Sequence, residues 1–472
     1  MATDTVESSV GLRSERGAVL GALMLSTGLV ALDSTIIATA ILTITQNLGG
    51  FAQFPWLFSI YLLAQAATVP IYGKLADTFG RKPVLLFGIA VFAVGSLLCG
   101  LATSMLGLIV FRAIQGLGAG AVQPMTLTIA GDLYTLSERA KVQGYLAAVW
   151  ATSSVLGPLL GGLFSEYLSW RLIFLVNLPL SALAAWMIVR HFKEAAPRRR
   201  HGAIDYPGAV LLTLGAGAVI LGLLEGGHSW AWTSPASLCV FGGGVLALAV
   251  FTVVERRAAN PILPLWVLTR RVLVATSVIS LLVGAVLLGL TSYVPTFAQG
   301  VLGSSALIAG LTVGALTLGW PITGTLAGKV YLRIGFRNSA LIGSGIAILG
   351  AASLLLAGVE STVWQLAGSC FLIGLGMGLV STPSIIAAQS SAPWHERGVV
   401  TSTTMFARSI GSAVGVAVFG AVVNSQLHGA NRPAPAALAD AVHLVFLGVT
   451  AAAVVMILAA LMLPGRPGAD AR

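Results

Sequence analysis

Long apolar stretches alternate with short polar ones along the whole chain. Roughly 18 or more residues with few charges suffice to carry an α-helix across the hydrocarbon core of a bilayer. The pattern predicts fourteen such spans, at about 17–44, 55–73, 83–101, 105–130, 140–164, 171–190, 206–226, 236–254, 272–298, 305–331, 338–358, 362–389, 399–425 and 440–463. The expected fold class is therefore an all-α polytopic membrane protein. The first span is too long for a signal peptide, lacks a small-residue cleavage site and is interrupted by Asp33, so it is expected to stay in the mature chain.

The polar interruptions are not all different. Gly73-Lys74-Leu75-Ala76-Asp77-Thr78-Phe79-Gly80-Arg81-Lys82 returns, worn, as Gly328-Lys329-Val330-Tyr331-Leu332-Arg333-Ile334-Gly335-Phe336-Arg337, 255 residues downstream. Gly116-Leu117-Gly118 matches Gly374-Leu375-Gly376, and Glu138-Arg139 matches Glu396-Arg397, at an offset of 258. Two related halves, spans 1–6 and 9–14, follow from this register, with spans 7 and 8 inserted between them. The expected division is 1–191, a first six-helix bundle; 192–270, basic loops and two accessory helices; and 271–472, a second six-helix bundle. Internal repeats of this kind are common in transporters, whose substrate path lies between the repeats.

Composition agrees with the pattern: 57% of residues are hydrophobic and 9% charged, against about 25% charged in soluble domains. The net charge of +10 has a simple source. With a cytoplasmic N-terminus, all but four of the 26 Lys and Arg fall on the inner side; Arg171 and Arg432 lie outside, and Arg112 and Arg408 lie within spans. This is the positive-inside distribution. It makes the chain a multi-pass protein of the inner or plasma membrane with both termini cytoplasmic. The basic residues are spread over loops rather than gathered on one face, which excludes nucleic acid as a partner. The Arg198-Arg199-Arg200 run is expected to anchor topology and to attract anionic lipid weakly.

Several stretches, taken in order, resemble the major facilitator superfamily, in its fourteen-helix drug:proton antiporter branch. Gly73–Lys82 is similar to the family's loop signature between spans 2 and 3. Arg112-Ala113-Ile114-Gln115-Gly116-Leu117-Gly118 is similar to its span-4 signature, and Gly157-Pro158-Leu159-Leu160-Gly161-Gly162 to the antiporter signature of span 5. Leu32-Asp33-Ser34-Thr35 and Trp170–Pro179 resemble two further stretches of that branch. The resemblance implies the major facilitator fold, two pseudo-symmetric six-helix bundles plus two inserted helices. It also implies export of an amphipathic, drug-like small molecule by alternating access, driven by protons. A single copy is the expected working unit. The alternative is export of lipid, glycolipid or a secondary metabolite on the same scaffold.

The residues support specific expectations. Asp33 is the one acidic residue deep in an apolar span, and even a lenient insertion scale charges ~2.5–3.5 kcal/mol for Asp at a helix centre. Burial disfavours its charge and a nearby Arg favours it. A carboxylate balanced between those effects can load and release a proton. Arg112 is the candidate neighbour that tunes it. The bland alternative is a structural pair that fixes helix packing. Both are expected on the inner half of a cavity lined by spans 1, 4, 5 and 9. In the loop, Gly73 and Gly80 permit tight turns, Asp77 can cap a neighbouring helix, and Arg81 can pair with Asp132, with Lys82 closing the motif. Such contacts can form a cytoplasmic gate. Gly157-Pro158 is expected to kink span 5, and Gly161 and Gly162 to admit a close neighbour. Arg408 and Gln115 are candidate contacts for substrate or lipid.

No G-x-x-x-x-G-K-[ST] loop is present, so ATP is not the direct energy source. The six His and three Cys show no metal-ligand spacing, and no Ser/His/Asp grouping falls at membrane depth. No metal, cofactor or enzymatic chemistry is expected.

Overall fold

The computed structural model describes residues 11–37, 40–49, 56–194, 205–226, 230–258, 261–304, 306–427 and 434–465. The Arg198–Arg200 run lies outside the described residues. The first bundle contains α1 (Gly17–Ile36), α2 (Ile41–Leu48), α3 (Trp56–Phe79), α4 (Arg81–Gly100), α5 (Met105–Leu133), α6 (Leu136–Tyr167), α7 (Leu172–Leu175) and α8 (Asn177–His191). Next come α9 (Tyr206–Glu225) and α10 (Pro235–Arg257). The second bundle contains α11 (Arg271–Gly300), α12 (Ala306–Leu354), α13 (Val363–Ser390), α14 (Arg397–Leu427) and α15 (Pro435–Ala460).

Thirteen helical segments among the described residues are long and apolar enough to cross a membrane. One of them, α12, is two helices joined end to end at Gly335, where φ is 86° and ψ 167°. The expected count of fourteen crossings is thereby met. Gly80, at the equivalent place in the first repeat, has φ 102° and ψ 157°. This region of backbone space is essentially restricted to glycine, so both copies of the repeated motif keep their glycine for the same steric reason. The cation that closes each copy also acts alike in both halves. Lys82 Nζ donates to the carbonyls of Val189 and Phe192 at 3.0 and 2.6 Å, at the end of α8. Arg337 Nε donates to Leu463 O at 2.9 Å, just beyond α15. Each cation satisfies carbonyls that a helix end leaves free.

Two apolar cores result. One is built mainly from α1, α3–α6 and α8 and includes Leu23, Phe92, Val122 and Ile188. The other is built mainly from α11–α15 and includes Ile279, Phe297, Ile373 and Phe446. The bundles meet through α3 against α14 and α6 against α12. Helix α9 packs on α10 and lies against the α3–α14 seam, where Leu212 and Ala216 cluster with Val69 and Phe406.

The first span departs from its expected 17–44 extent. Helix α1 stops at Ile36, and a separate helix begins at Ile41. Ser34 and Thr35 turn their hydroxyls back to the carbonyls of Val30 and Ala31, at 2.7 and 3.1 Å. Such back-bonding competes with the helix ladder. Thr35 also donates to Ser153 O of α6 at 2.9 Å.

Gly335→Ala should lower the thermal midpoint of the purified protein, because a side chain in that conformation costs about 1–3 kcal/mol. Gly345→Ala, in a helix with nothing within 4 Å of the added methyl, should hold or raise it. Equal midpoints for the two variants would contradict this origin of the α12 bend.

Candidate functional site

Helices α3, α4 and α5 approach closely at small residues, and this brings polar groups together. A Cβ on Gly95 would lie 2.5 Å from Gln115 N, and one on Gly116 would lie 2.5 Å from Tyr61 O. The first approach sets Ser96 beside Gln115. The second sets Leu57 O and Tyr61 beside Arg112.

The resulting cluster is dry. Asp33, Gln115, Asn177 and Ser96 are 0% exposed and Arg112 is 1% exposed. Arg112 Nη1 donates to Asp33 Oδ2 at 2.6 Å and to Gln115 Oε1 at 2.7 Å, and Nε donates to Leu57 O at 3.1 Å. Asp33 Oδ1 accepts from Gln115 Nε2 at 2.8 Å and from Asn177 Nδ2 at 3.1 Å. Gln115 Nε2 also donates to Ser96 Oγ at 2.7 Å. The guanidinium lies 4.1 Å from the centroid of the Tyr61 ring. One polar atom inside this shell, Asn177 Oδ1, has no hydrogen-bond partner among the described residues. An unpaired buried acceptor beside an ion pair is a group that a displaced donor can engage.

The pair lies at the end of the bundle opposite the Gly73–Lys82 motif. Asp33 is in the last turn of α1, and Arg112 is in the second turn of α5. The pair was expected in the same half as the Gly73–Lys82 motif; it lies in the opposite half, because α1 ends three residues after Asp33. Gln115 is also corrected. It faces neither lipid nor an open path, since its buried amide is committed to Asp33, Arg112 and Ser96.

The repeated motif forms a second cluster at the other end. Arg81 Nε donates to Asp132 Oδ2 at 3.1 Å, and Nη2 donates to Asp77 Oδ1 at 2.8 Å and to Trp394 O at 2.6 Å. Its guanidinium stacks on the Trp394 ring, 3.9 Å from the centroid. Asp77 accepts from the backbone N–H of Gly398 and Val399, at 3.0 and 2.8 Å. It thus caps the first turn of α14 in the opposite bundle, where the helix dipole favours an anion. Asp132 also accepts from Arg397 Nη1 at 3.1 Å. Gly73 permits the approach, for a Cβ there would lie 2.7 Å from Gly398 O. On the other seam, Tyr331 donates to Leu136 O, and Gln389 Nε2 donates to Leu127 O at 3.2 Å. Among hydrogen bonds between described residues, those joining the two bundles all lie at this end.

Sequence inspection missed several participants. Glu194 accepts from the backbone N–H of Arg81 and Lys82, at 2.6 and 2.9 Å, and so caps α4. Asn177, Ser96 and Tyr61 read as ordinary polar residues of membrane helices. Arg397 was visible only as half of the repeated Glu-Arg pair. In α6, Gly157 packs against Thr35, and Gly161 is buried. Gly162 does not admit a close neighbour as expected, since nothing lies within 4 Å of a Cβ placed there. The Pro158 side chain lies outside the described residues. Arg408 stands apart from both clusters, 5.1 Å from the Trp320 ring centroid.

This architecture has known relatives. The chain matches the Major Facilitator Superfamily profile over residues 23–416 and belongs to that family. It is therefore a multi-pass membrane transporter rather than an enzyme. It is 35% identical over 423 residues to the Multidrug transporter protein MdtP of Bacillus subtilis, covering 89% of this chain and 77% of that protein. It is 36% identical over 411 residues to Multidrug resistance protein 3 of the same organism, covering 87% and 80%. Among solved structures, the human organic anion transporter MFSD10 aligns with a TM-score of 0.68 over 94% of this chain and 99% of that one. At 15% identity, that likeness bears on the fold alone.

Asp77→Ala removes both the cap on α14 and one partner of Arg81. In a chain with Cys239 replaced by Ser, a Ser402→Cys reporter should then react at least several-fold faster with a water-soluble maleimide. Ser402 is 0% exposed and lies under Gly73. An unchanged rate would show that Asp77 does not hold this end closed.

Proposed function

We propose that the chain is a proton-coupled efflux transporter of amphipathic small molecules, belonging to the fourteen-helix drug:proton antiporter branch. The observation that supports it most is the dry Asp33–Arg112 pair, set in one bundle at the end opposite the closed interbundle contacts. A proton on Asp33 would cancel its attraction for Arg112. The uncompensated guanidinium would then have to find other partners, which is costly in a dry site. Residues on α3, α4, α5 and α8 would repack together. The gate at the far end holds the two bundles through charge-assisted bonds that exist only while α3 and α14 touch. Protonation at one end and opening at the other are thus two settings of one rocking bundle.

In this assignment, Asp33 carries the coupled proton and Arg112 positions and tunes it. Gly73, Asp77, Gly80, Arg81, Lys82 and Asp132 form the cytoplasmic gate. Gly157, Pro158, Gly161 and Gly162 form the antiporter segment of α6. The bundles are 1–191 and 271–472, with 192–270 accessory. The chain works as a monomer with both termini in the cytoplasm, taking cargo from the cytoplasm or the inner leaflet. The relatives named for multidrug transport support export as the direction.

Asp33→Asn should abolish cargo-driven proton movement in proteoliposomes while membrane insertion and elution profile stay normal. An uncoupler should abolish export by the unmodified chain. Proton movement that persists at the unmodified rate in Asp33→Asn would remove Asp33 from the coupling role. A chain that changes envelope lipids and confers no resistance in an efflux-deficient host would instead be a lipid exporter.

A further inference from the structure

Arg408 is a cation at mid-depth with no ion-pair partner among the described residues. It lies eleven residues into α14, about 16 Å along the axis from the Arg397 end at 1.5 Å per residue. The second bundle has no acid at that depth: beyond residue 271 the chain carries only Glu360, Glu396, Asp440 and Asp470. Glu360 lies between helices, Glu396 precedes α14, and Asp440 is in the second turn of α15, while Asp470 is outside the described residues. In the first bundle, Asp33 is committed to Arg112, Gln115 and Asn177. Among the described residues, no carboxylate lies within ion-pair distance of Arg408. Its recorded contact is the face of Trp320, a residue of α12 that is only partly buried.

The helix register sets Arg408 between two neighbours, for Gly415, seven residues later, packs on Ala285 of α11. Thr401 lies seven residues earlier on α14, which is the same face two turns closer to the gate. There Gln389 Nε2 joins Thr401 Oγ1 at 3.1 Å and Leu127 O of the opposite bundle at 3.2 Å. This is the closed floor between the bundles. Gln123, one turn above Leu127 on the same face of α5, accepts from Gln65 Nε2 at 3.0 Å. Above the floor, this side of α14 carries Arg408 against Trp320, and the Gln65–Gln123 pair of the first bundle brings no charge of its own. A partly buried cation without an ion-pair partner among the described residues is costly in a membrane. A guanidinium held against an aromatic face is suited to a flat ligand that brings the missing charge.

We propose that Arg408, backed by Trp320, receives an anionic group of the cargo, so that the transported compound is an amphiphile with an aromatic body and one acidic substituent. This rests on the transporter function proposed above and specifies its substrate class. A cationic cargo would meet like charge at the middle of its path.

Equilibrium binding to the purified full-length protein in phosphatidylcholine nanodiscs tests this with three matched probes: 1-pyrenebutyrate, its neutral amide, and the corresponding pyrenyl trimethylammonium. The acid should bind about tenfold or more tightly than either of the others, the usual worth of a hydrogen bond to a charged group. Arg408→Gln should bring that ratio to about one, while Arg408→Lys should keep most of it. Trp320→Leu should weaken all three probes. Adding phosphatidylglycerol to the discs should leave the acid's advantage in place; competition from it would identify a lipid headgroup as the anion and overturn the drug-like cargo. No binding of the acid, no preference for it, or an unchanged preference in Arg408→Gln would each overturn the proposal. Proton-driven counterflow of the amide probe is measured in parallel. If it survives while the preference is absent, the substrate class fails and the transporter stands. If the preference is present without counterflow, the outcome is the reverse.

Discussion

A carboxylate and a guanidinium held out of water in one bundle constrain what surrounds them. Neither Asp33 nor Arg112 can be left alone, since breaking a buried pair by removing one partner costs about 3–5 kcal/mol. Their lone pairs and protons are therefore met by Gln115, Asn177, Leu57 O and the Tyr61 face, drawn from α3, α5 and α8. Small residues at 95 and 116 let those helices come close enough. At that end of the first bundle, four helices, α1, α3, α5 and α8, therefore meet around one charge pair.

The cluster around Arg81 is nearly as buried, with Arg81 at 1% exposure, but it differs in linking one bundle to the other. Asp77 is shared between Arg81 in its own bundle and two backbone donors of α14. Arg81 is shared between Asp77, Asp132 and the Trp394 carbonyl and ring. Because each member serves both bundles, separating α3 from α14 loses several charge-assisted bonds at once. That favours two discrete arrangements over a continuum. The two buried clusters sit at opposite ends of the first bundle, and only the Arg81 cluster also bonds to the second.

Much of this was legible in the chain. Span number and order followed from the length and hydropathy of the apolar runs, because a bilayer tolerates few other solutions. The repeat at Gly80 and Gly335 was legible because a backbone conformation closed to other residues preserves glycine. Arg81 with Asp132 was guessed from sidedness. Depth was harder. Hydropathy runs on past Ile36, so Asp33 read as central although α1 ends three residues later. Asn177, Ser96 and Tyr61 are cheap to place in membrane helices, and nothing in their spacing announces a shared partner. Glu194 looked like a loop charge because its role depends on the helix start that it caps. Gly162 belongs to a motif, yet its surroundings are set by a neighbouring helix that the motif does not encode.

The central claim is that the proton state of Asp33 sets whether the gate is closed. Spin labels on the basic-loop ends of α3 and α14 report the separation of those helices. The unmodified chain should show mainly the short separation, and Asp33→Asn, which removes the charge, should move the population to the long one under the same conditions. The same distance distribution in both proteins would contradict the account.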